Sequence, residues 1–197
     1  MSDSPTQDVL VKLEGAVRDV SEWLDMKMRT GQYSIGFVVE LAQHLVGRGY
    51  NVHTIYDEIS ILEGDDRRAS LTKAAAPFRR PPLLGLWHKH HHQARFMSQN
   101  LLLELEKDGA VEDALAPYCR RRVEEAAGQI VHELVMKTFA RRAAERRMTG
   151  EFIVYERRTN GSNYYLTLGS HGEYPEIYAR VEAYRKIDRE HDCHRSL

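Results

Sequence analysis

Cysteine is scarce in this chain: Cys119 and Cys193 are the only two among 197 residues. Two thiols cannot build a disulfide framework, so a stapled secreted scaffold is excluded and a reducing, cytoplasmic setting is expected. No apolar run reaches the roughly 18 residues that a membrane span needs, which predicts no membrane partner. The opening Met1-Ser2-Asp3-Ser4-Pro5 lacks the basic, apolar and small-residue order of a secretory signal. Charge of one sign is not in excess either, since Lys and Arg total 28 against 29 Asp and Glu. The composition, 42% hydrophobic and 29% charged, is that of an ordinary globular chain with one sizeable core or two small ones.

The usual phosphate and hydrolase motifs are also missing. There is no G-x-x-x-x-G-K-[ST], no G-x-G-x-x-G, no G-x-S-x-G and no H-E-x-x-H. That excludes P-loop motors, dinucleotide dehydrogenases, nucleophile-elbow hydrolases and zincins. His132-Glu133 and Glu190-His191 lack the second ligands that zinc hydrolysis requires. Cys119 precedes Arg120-Arg121-Arg122, which favours a thiolate, but no base can be placed beside it.

What the chain has is histidine. Four of its ten lie in Trp87-His88-Lys89-His90-His91-His92. Imidazole transfers protons near neutrality and is the commonest metal ligand. If this segment is extended, His88, His90 and His92 share a side; if it is helical, His88, His91 and His92 are neighbours. Either grouping offers a proton-transfer site, a zinc site with an open position, or a solvated polar bend without chemistry. No carboxylate or cysteine stands at an established partner spacing, so no metal ligand is assigned.

Basic residues gather in two places. Arg79, Arg80, Lys89 and Arg95 flank the histidines, and Arg120, Arg121, Arg122, Lys137, Arg141, Arg142, Arg146 and Arg147 crowd residues 118 to 148. Such clusters suit a phosphate backbone. They equally suit exposed helix faces on which arginine pairs with glutamate.

Hydrophobic periodicity predicts helices first. Leu10, Leu13, Val17, Val20 and Leu24 alternate steps of three and four over residues 8 to 27. A second helix fits 34 to 46 through Ile35, Val38, Leu41, Ala42 and Leu45. Asn51 caps a third, with Val52, Ile55, Tyr56, Ile59 and Leu62 inward and Gly64 as its stop. Residues 65 to 76 are polar and charged and read as a short helix or a mobile connector. Pro81-Pro82 breaks the chain before Leu83 to Trp87, a candidate strand. Further helices are predicted over 94 to 107 and 118 to 148, with His132 opposite the apolar stripe of the latter.

At Thr149-Gly150 the period changes to two. Phe152 to Tyr155 and Asn163 to Leu168 flank Asn160-Gly161, the strongest short-range hairpin signal. Pro175 opens a last helix with Ile177, Val181 and Tyr184 inward, before a polar tail from Asp188. The fold class is therefore α+β: a helical module over residues 1 to 80, then an α+β part over 81 to 197.

Alternation puts Tyr164, Leu166 and Leu168 on the core side of the hairpin and Tyr165, Thr167 and His171 on the other. Ile153, Tyr155 and Arg157 alternate against Phe152 and Val154. One sheet face would then display Tyr, Thr, His and Arg, a set suited to metal-independent RNA cleavage. Histidine moves the 2′-hydroxyl proton, a cation holds the phosphorane charge, and a second acid protonates the leaving oxygen. The alternative is that tyrosines merely suit edge strands and His171 sits in a turn.

A helical region with histidines followed by strands carrying Tyr155, Tyr165, Thr167 and His171 resembles small bacterial RNase toxins of the barnase, EndoU, colicin and RelE-like group. The resemblance covers residues 83 to 185 and rests on arrangement. It implies RNA as partner, a site on one face of a small antiparallel sheet, and Glu151 or Glu156 in place of barnase's catalytic glutamate. The expected catalytic set is His171 with His88, His90 or His92, and Tyr165 positioning. Lys89, Arg95, Arg157, Arg158 and Thr167 would contact RNA, with no cofactor. The competing expectation is a non-catalytic antitoxin, immunity or adaptor subunit that meets a protein partner through its amphipathic helices.

Overall fold

The computed structural model of the chain describes residues 5–47, 51–65, 67, 69–92 and 151–195. The helices predicted over 94 to 107 and 118 to 148, with Arg95, Cys119 and His132, lie outside these residues. The fold is α+β with a C-terminal helix. Among the described residues it comprises four helices and a five-stranded mixed sheet.

Helices α1 (Pro5–Lys27), α2 (Ile35–Gly47) and α3 (Val52–Leu62) occupy nearly the predicted spans, although Leu10 of the first stripe is exposed. Asn51 caps α3 as expected, its side chain accepting from the His53 N–H at 3.1 Å. Ser34 does the same for α2, accepting from the Phe37 N–H at 3.0 Å while its hydroxyl donates to the Leu166 carbonyl. Phe37, which the periodic reading missed, takes the fully buried place on α2, and Ile35 and Leu45 are exposed instead. The final helix, α4 (Tyr174–Arg195), buries Ile177 and Val181 and extends into the polar tail that follows Asp188. Its Asp188 accepts from the Ile35 N–H, tying α4 to the start of α2.

The strands are β1 (Gln32–Tyr33), β2 (Ala76–Pro77), β3 (Trp87–His90), β4 (Phe152–Arg157) and β5 (Asn163–Gly169). Their order is β1-β5-β4-β3-β2, with β1 parallel to β5 and the rest antiparallel. The Asn-Gly hairpin joins β4 to β5, and Gly161 adopts φ of 84°, a left-handed conformation that glycine takes without steric cost. The strand expected over Leu83 to Trp87 shares only Trp87 with the observed β3, and residues 83 to 86 form a turn instead. Leu83 and Leu86 precede β3 and plug the sheet from below.

Both faces of the sheet are covered. On one, Ile153, Tyr155, Tyr165 and Leu168 pack with Val20, Leu24, Phe37, Leu41, Ile55 and Ile59 from α1 to α3. On the other, Phe152, Val154 and Leu166 pack with Leu83, Leu86, Ile177 and Val181. Strands β1 and β2 come from the first 80 residues and β3 to β5 from the remainder. The boundary expected near residue 80 thus falls between two adjacent strands of one sheet. None of the described helices is long and apolar enough to cross a membrane.

A β-bulge overturns the expected alternation of β5. Tyr155 pairs with Tyr165, but Val154 pairs with Thr167, leaving Leu166 as an extra residue. Tyr165 and Leu168 therefore both reach the helical core, which strict alternation forbids. Among the described residues, no open sheet face bears Tyr, Thr, His and Arg together.

Candidate functional site

Strand β3 decides where the histidines go. His88 lies opposite Val154 and His90 opposite Phe152, so both side chains join the face that carries those residues. Trp87 and Lys89 alternate onto the helical face, opposite Tyr155 and Ile153. His171 arrives from the far end of β5, two residues past Gly169 and in the turn that opens α4. Gly172, with φ of 94°, completes that turn.

The three imidazoles meet around the Phe152 ring. Centroid distances to Phe152 are 5.6 Å for His88, 5.7 Å for His90 and 5.3 Å for His171. His90 lies 5.4 Å from His88 and 5.3 Å from His171. Phe78 extends the aromatic floor, 4.6 Å from His88 and 5.7 Å from Phe152, and Tyr174 stands 6.1 Å beyond it. The Tyr174 hydroxyl is 3.5 Å from His171 Nδ1. His171 is exposed, His88 half-buried and His90 buried.

For His88 and His171 the surroundings favour the neutral ring. Burial pushes His88 below the ordinary histidine range, and His171 and Lys73 push it further, against an opposing hydrogen bond to the Ala76 backbone. His171 is lowered by burial first and by Lys73 second. Exposed Lys73 is thus the cation that this cluster feels. A neutral ring beside a fixed positive charge on an apolar floor can take a proton from a hydroxyl while the cation attracts an anion. Among the described residues, no group of three His, Cys, Asp or Glu has a geometry that holds a metal ion.

The other expected site residues are elsewhere. His92 lines a separate cavity of about 270 Å³ with Thr54, Asp57 and Glu58, because β3 ends at His90 and the alternation ends with it. Burial lowers the His92 pKa too. His91 is fully buried, its N–H donating to the Glu151 carbonyl. Tyr165 is interior: its hydroxyl donates to Glu63 at 2.8 Å, and burial raises its pKa far above the ordinary tyrosine value. Thr167 is buried as well, donating to Glu40 at 2.8 Å and receiving Arg180. Neither side chain is available to RNA.

Lys89 is corrected most sharply. It is 3% exposed, and its Nζ donates to Ser70, Thr72 and the Lys73 carbonyl at 2.7, 2.6 and 2.8 Å. Glu58 on α3 completes the cage as an ion partner at 3.0 Å. Glu151 hydrogen-bonds Ser170 and Glu156 pairs with Arg185, so both carboxylates hold structure.

Arg157 and Arg158 occupy the hairpin end of β4. Five strand steps of about 3.3 Å put Arg157 ~17 Å along the strand from Phe152. Arg157 stacks on Trp87 at 3.9 Å, and Arg158 lies 4.5 Å over Tyr164 and bonds Gln32. The arrangement replaces them with Lys73, Phe78, Phe152 and Tyr174. Of these, Tyr174 had a usable signal, three residues from His171, and Phe78 stands directly before Arg79-Arg80. The chain matches no protein family, no curated protein and no solved structure.

Proposed function

We propose that this protein binds RNA and cleaves it without a metal, at the cluster of His90, His171 and His88. One observation carries the reading: His90 and His171, distant in sequence, stand 5.3 Å apart on a shared aromatic floor beside Lys73. Two imidazoles at that spacing can bracket one phosphodiester, since each needs a nitrogen only ~2.6–3.2 Å from the oxygen it serves. Neutral His171 takes the 2′-hydroxyl proton as the 2′-oxygen attacks phosphorus. His90, only 4% exposed but with its ring 5.3 Å from that of exposed His171, acts in its protonated form and gives a proton to the departing 5′-oxygen. The products are a 2′,3′-cyclic phosphate and a 5′-hydroxyl, and the two rings have exchanged protonation states. Lys73 replaces Lys89 and Arg157 as the nearby cation that offsets the phosphorane charge.

The test is labelled RNA incubated with full-length protein in EDTA. Cleavage to cyclic-phosphate ends that falls at least ~100-fold in His171→Ala, with the melting temperature unchanged, supports the reading. Cleavage untouched by both His171→Ala and His90→Ala removes the site.

A second reading has one observation in its favour. Near the start of α1, Val9, Leu10 and Val11 are 55%, 54% and 63% exposed, a run of apolar surface suited to a protein partner. An RNA-inert protein that sediments with a partner helix and loses it in Val9→Glu/Val11→Glu fits a non-catalytic subunit.

A further inference from the structure

Beside the imidazoles lies a second feature that the proton-transfer reading leaves unused. Phe78, Pro81, Pro82, Leu83 and Tyr174, with Arg79 and Arg80, line a hollow of about 390 Å³. This is within the range of pockets that seat small organic groups, and its walls are aromatic and aliphatic. Phe78 is held rigidly: its N–H donates to the Leu86 carbonyl at 2.8 Å, and its ring is fixed between His88 and Tyr174. Tyr174 is 37% exposed at the first residue of α4, so part of its side chain remains available. Both arginines are exposed, and so is Lys73, whose charge acts on His88 and His171.

Resting on the reading of His90 and His171 as an RNA site, we infer that this hollow seats an unpaired nucleobase next to the scissile phosphate, making single-stranded RNA the substrate class. The apolar ring pair offers a π-face to a base, and stacking on an aromatic side chain requires that the base be out of a duplex. Arg79 and Arg80 supply the charge complementarity, since a base in the hollow brings its own phosphate to their edge. Two rings join hollow and cluster. Phe78 touches His88 at 4.6 Å, and the Tyr174 hydroxyl reaches His171 Nδ1 at 3.5 Å. A base held there fixes the ribose that follows it, and the position of the sugar decides whether its 2′-oxygen lines up for attack.

The experiment measures binding apart from cleavage. Fluorescence anisotropy with the full chain in EDTA uses a short labelled RNA whose 2′-hydroxyls are methylated, so that it cannot react. The same strand in a duplex, and a version with an abasic site, complete the set. The single strand is expected to bind about tenfold or more tightly than the other two, and Tyr174→Ala to lose about tenfold while Tyr174→Phe retains affinity. Arg79→Glu/Arg80→Glu, both on the surface and safe for folding, should weaken binding and flatten its salt dependence. Equal affinity for single-stranded, duplex and abasic RNA overturns the inference, as does wild-type binding by Tyr174→Ala.

Unmethylated RNA assayed in parallel separates the two claims. Preferential single-strand binding without cleavage removes the imidazole mechanism and leaves the hollow as a binding site. Cleavage with no dependence on Tyr174 or the arginines removes the hollow and leaves the mechanism. No binding and no cleavage removes both.

Discussion

The two sides of β3 make opposite use of adjacent residues. Lys89 points toward the helices and is enclosed by Glu58, Ser70, Thr72 and the Lys73 carbonyl. His88 and His90 point the other way, onto Phe152 and toward exposed His171. One side is a buried, charge-paired polar network in a core; the other holds three imidazoles on an apolar floor, with His171 exposed, His88 half-buried and His90 buried. A buried charge that is fully caged stabilises the fold and is closed to ligands. A titratable ring near solvent contributes little to stability and keeps its chemistry available.

The largest expected effect breaks that contrast on the helical side. Glu58→Ala should cost about 3–5 kcal/mol, because it leaves the Lys89 ammonium buried without its counter-ion. Chemical denaturation measures it, and a loss under about 1 kcal/mol would mean that the pair is not structural. Glu58→Leu with Lys89→Met should recover most of the loss, since an apolar pair of similar volume needs no compensation.

Two glycines sharpen the comparison. A Cβ at Gly36 would sit 2.2 Å from the Tyr184 ring, and one at Gly169 would sit 2.7 Å from Phe152. Each alanine substitution should cost about 1–3 kcal/mol through overpacking. Only Gly169→Ala should also depress cleavage per folded molecule, because it displaces the floor under the imidazoles. Equal cleavage in both variants would dissociate the floor from the site.

Next comes pH. His88 and His171 have folded-state values below the ordinary 6.5, so the unfolded chain binds more protons than the folded one just below that pH. Their contribution to stability is therefore complete above 6.5 and is lost as pH falls toward the folded values. Urea midpoints between pH 5 and 8 should rise with pH and level off, and the slope should shrink in His88→Ala/His171→Ala. An unchanged slope in the double variant would contradict the lowering of these two pKa values.

The smallest effect is at the hairpin end. Arg157→Ala should cost roughly 0.5–1 kcal/mol by removing the contact with Trp87, and leave cleavage unchanged. Loss of cleavage there would extend the site along the whole sheet.

Local signals were legible wherever one element determined them. Asn51 capped α3, Asn160-Gly161 made the hairpin, and Ile177 and Val181 marked the buried side of α4. The meeting of His90 with His171 is an assumption of the sequence reading, which leaves His88, His90 and His92 as equal partners and the segment open between strand and helix; the pairing of β3 with β4 selects His88 and His90. What failed depended on the whole sheet. The bulge at Leu166 carries no residue signature, yet it turned Tyr165 inward. Strands β1 and β2 are two residues each, too short for a period to register. Lys89 was misread because its charge suggested solvent, although alternation with His88 and His90 placed it on the opposite face. Only knowledge that this face was roofed by α3 would have revealed its burial.

The measurement that reaches the centre of the matter is a double-mutant cycle on RNA cleavage in EDTA with His90→Ala, His171→Ala and the combination. Two rings serving one phosphodiester form a unit, so the double variant should be scarcely slower than the worse single variant. Losses that multiply in full would mean that His90 and His171 act separately, and that their proximity across Phe152 is packing alone.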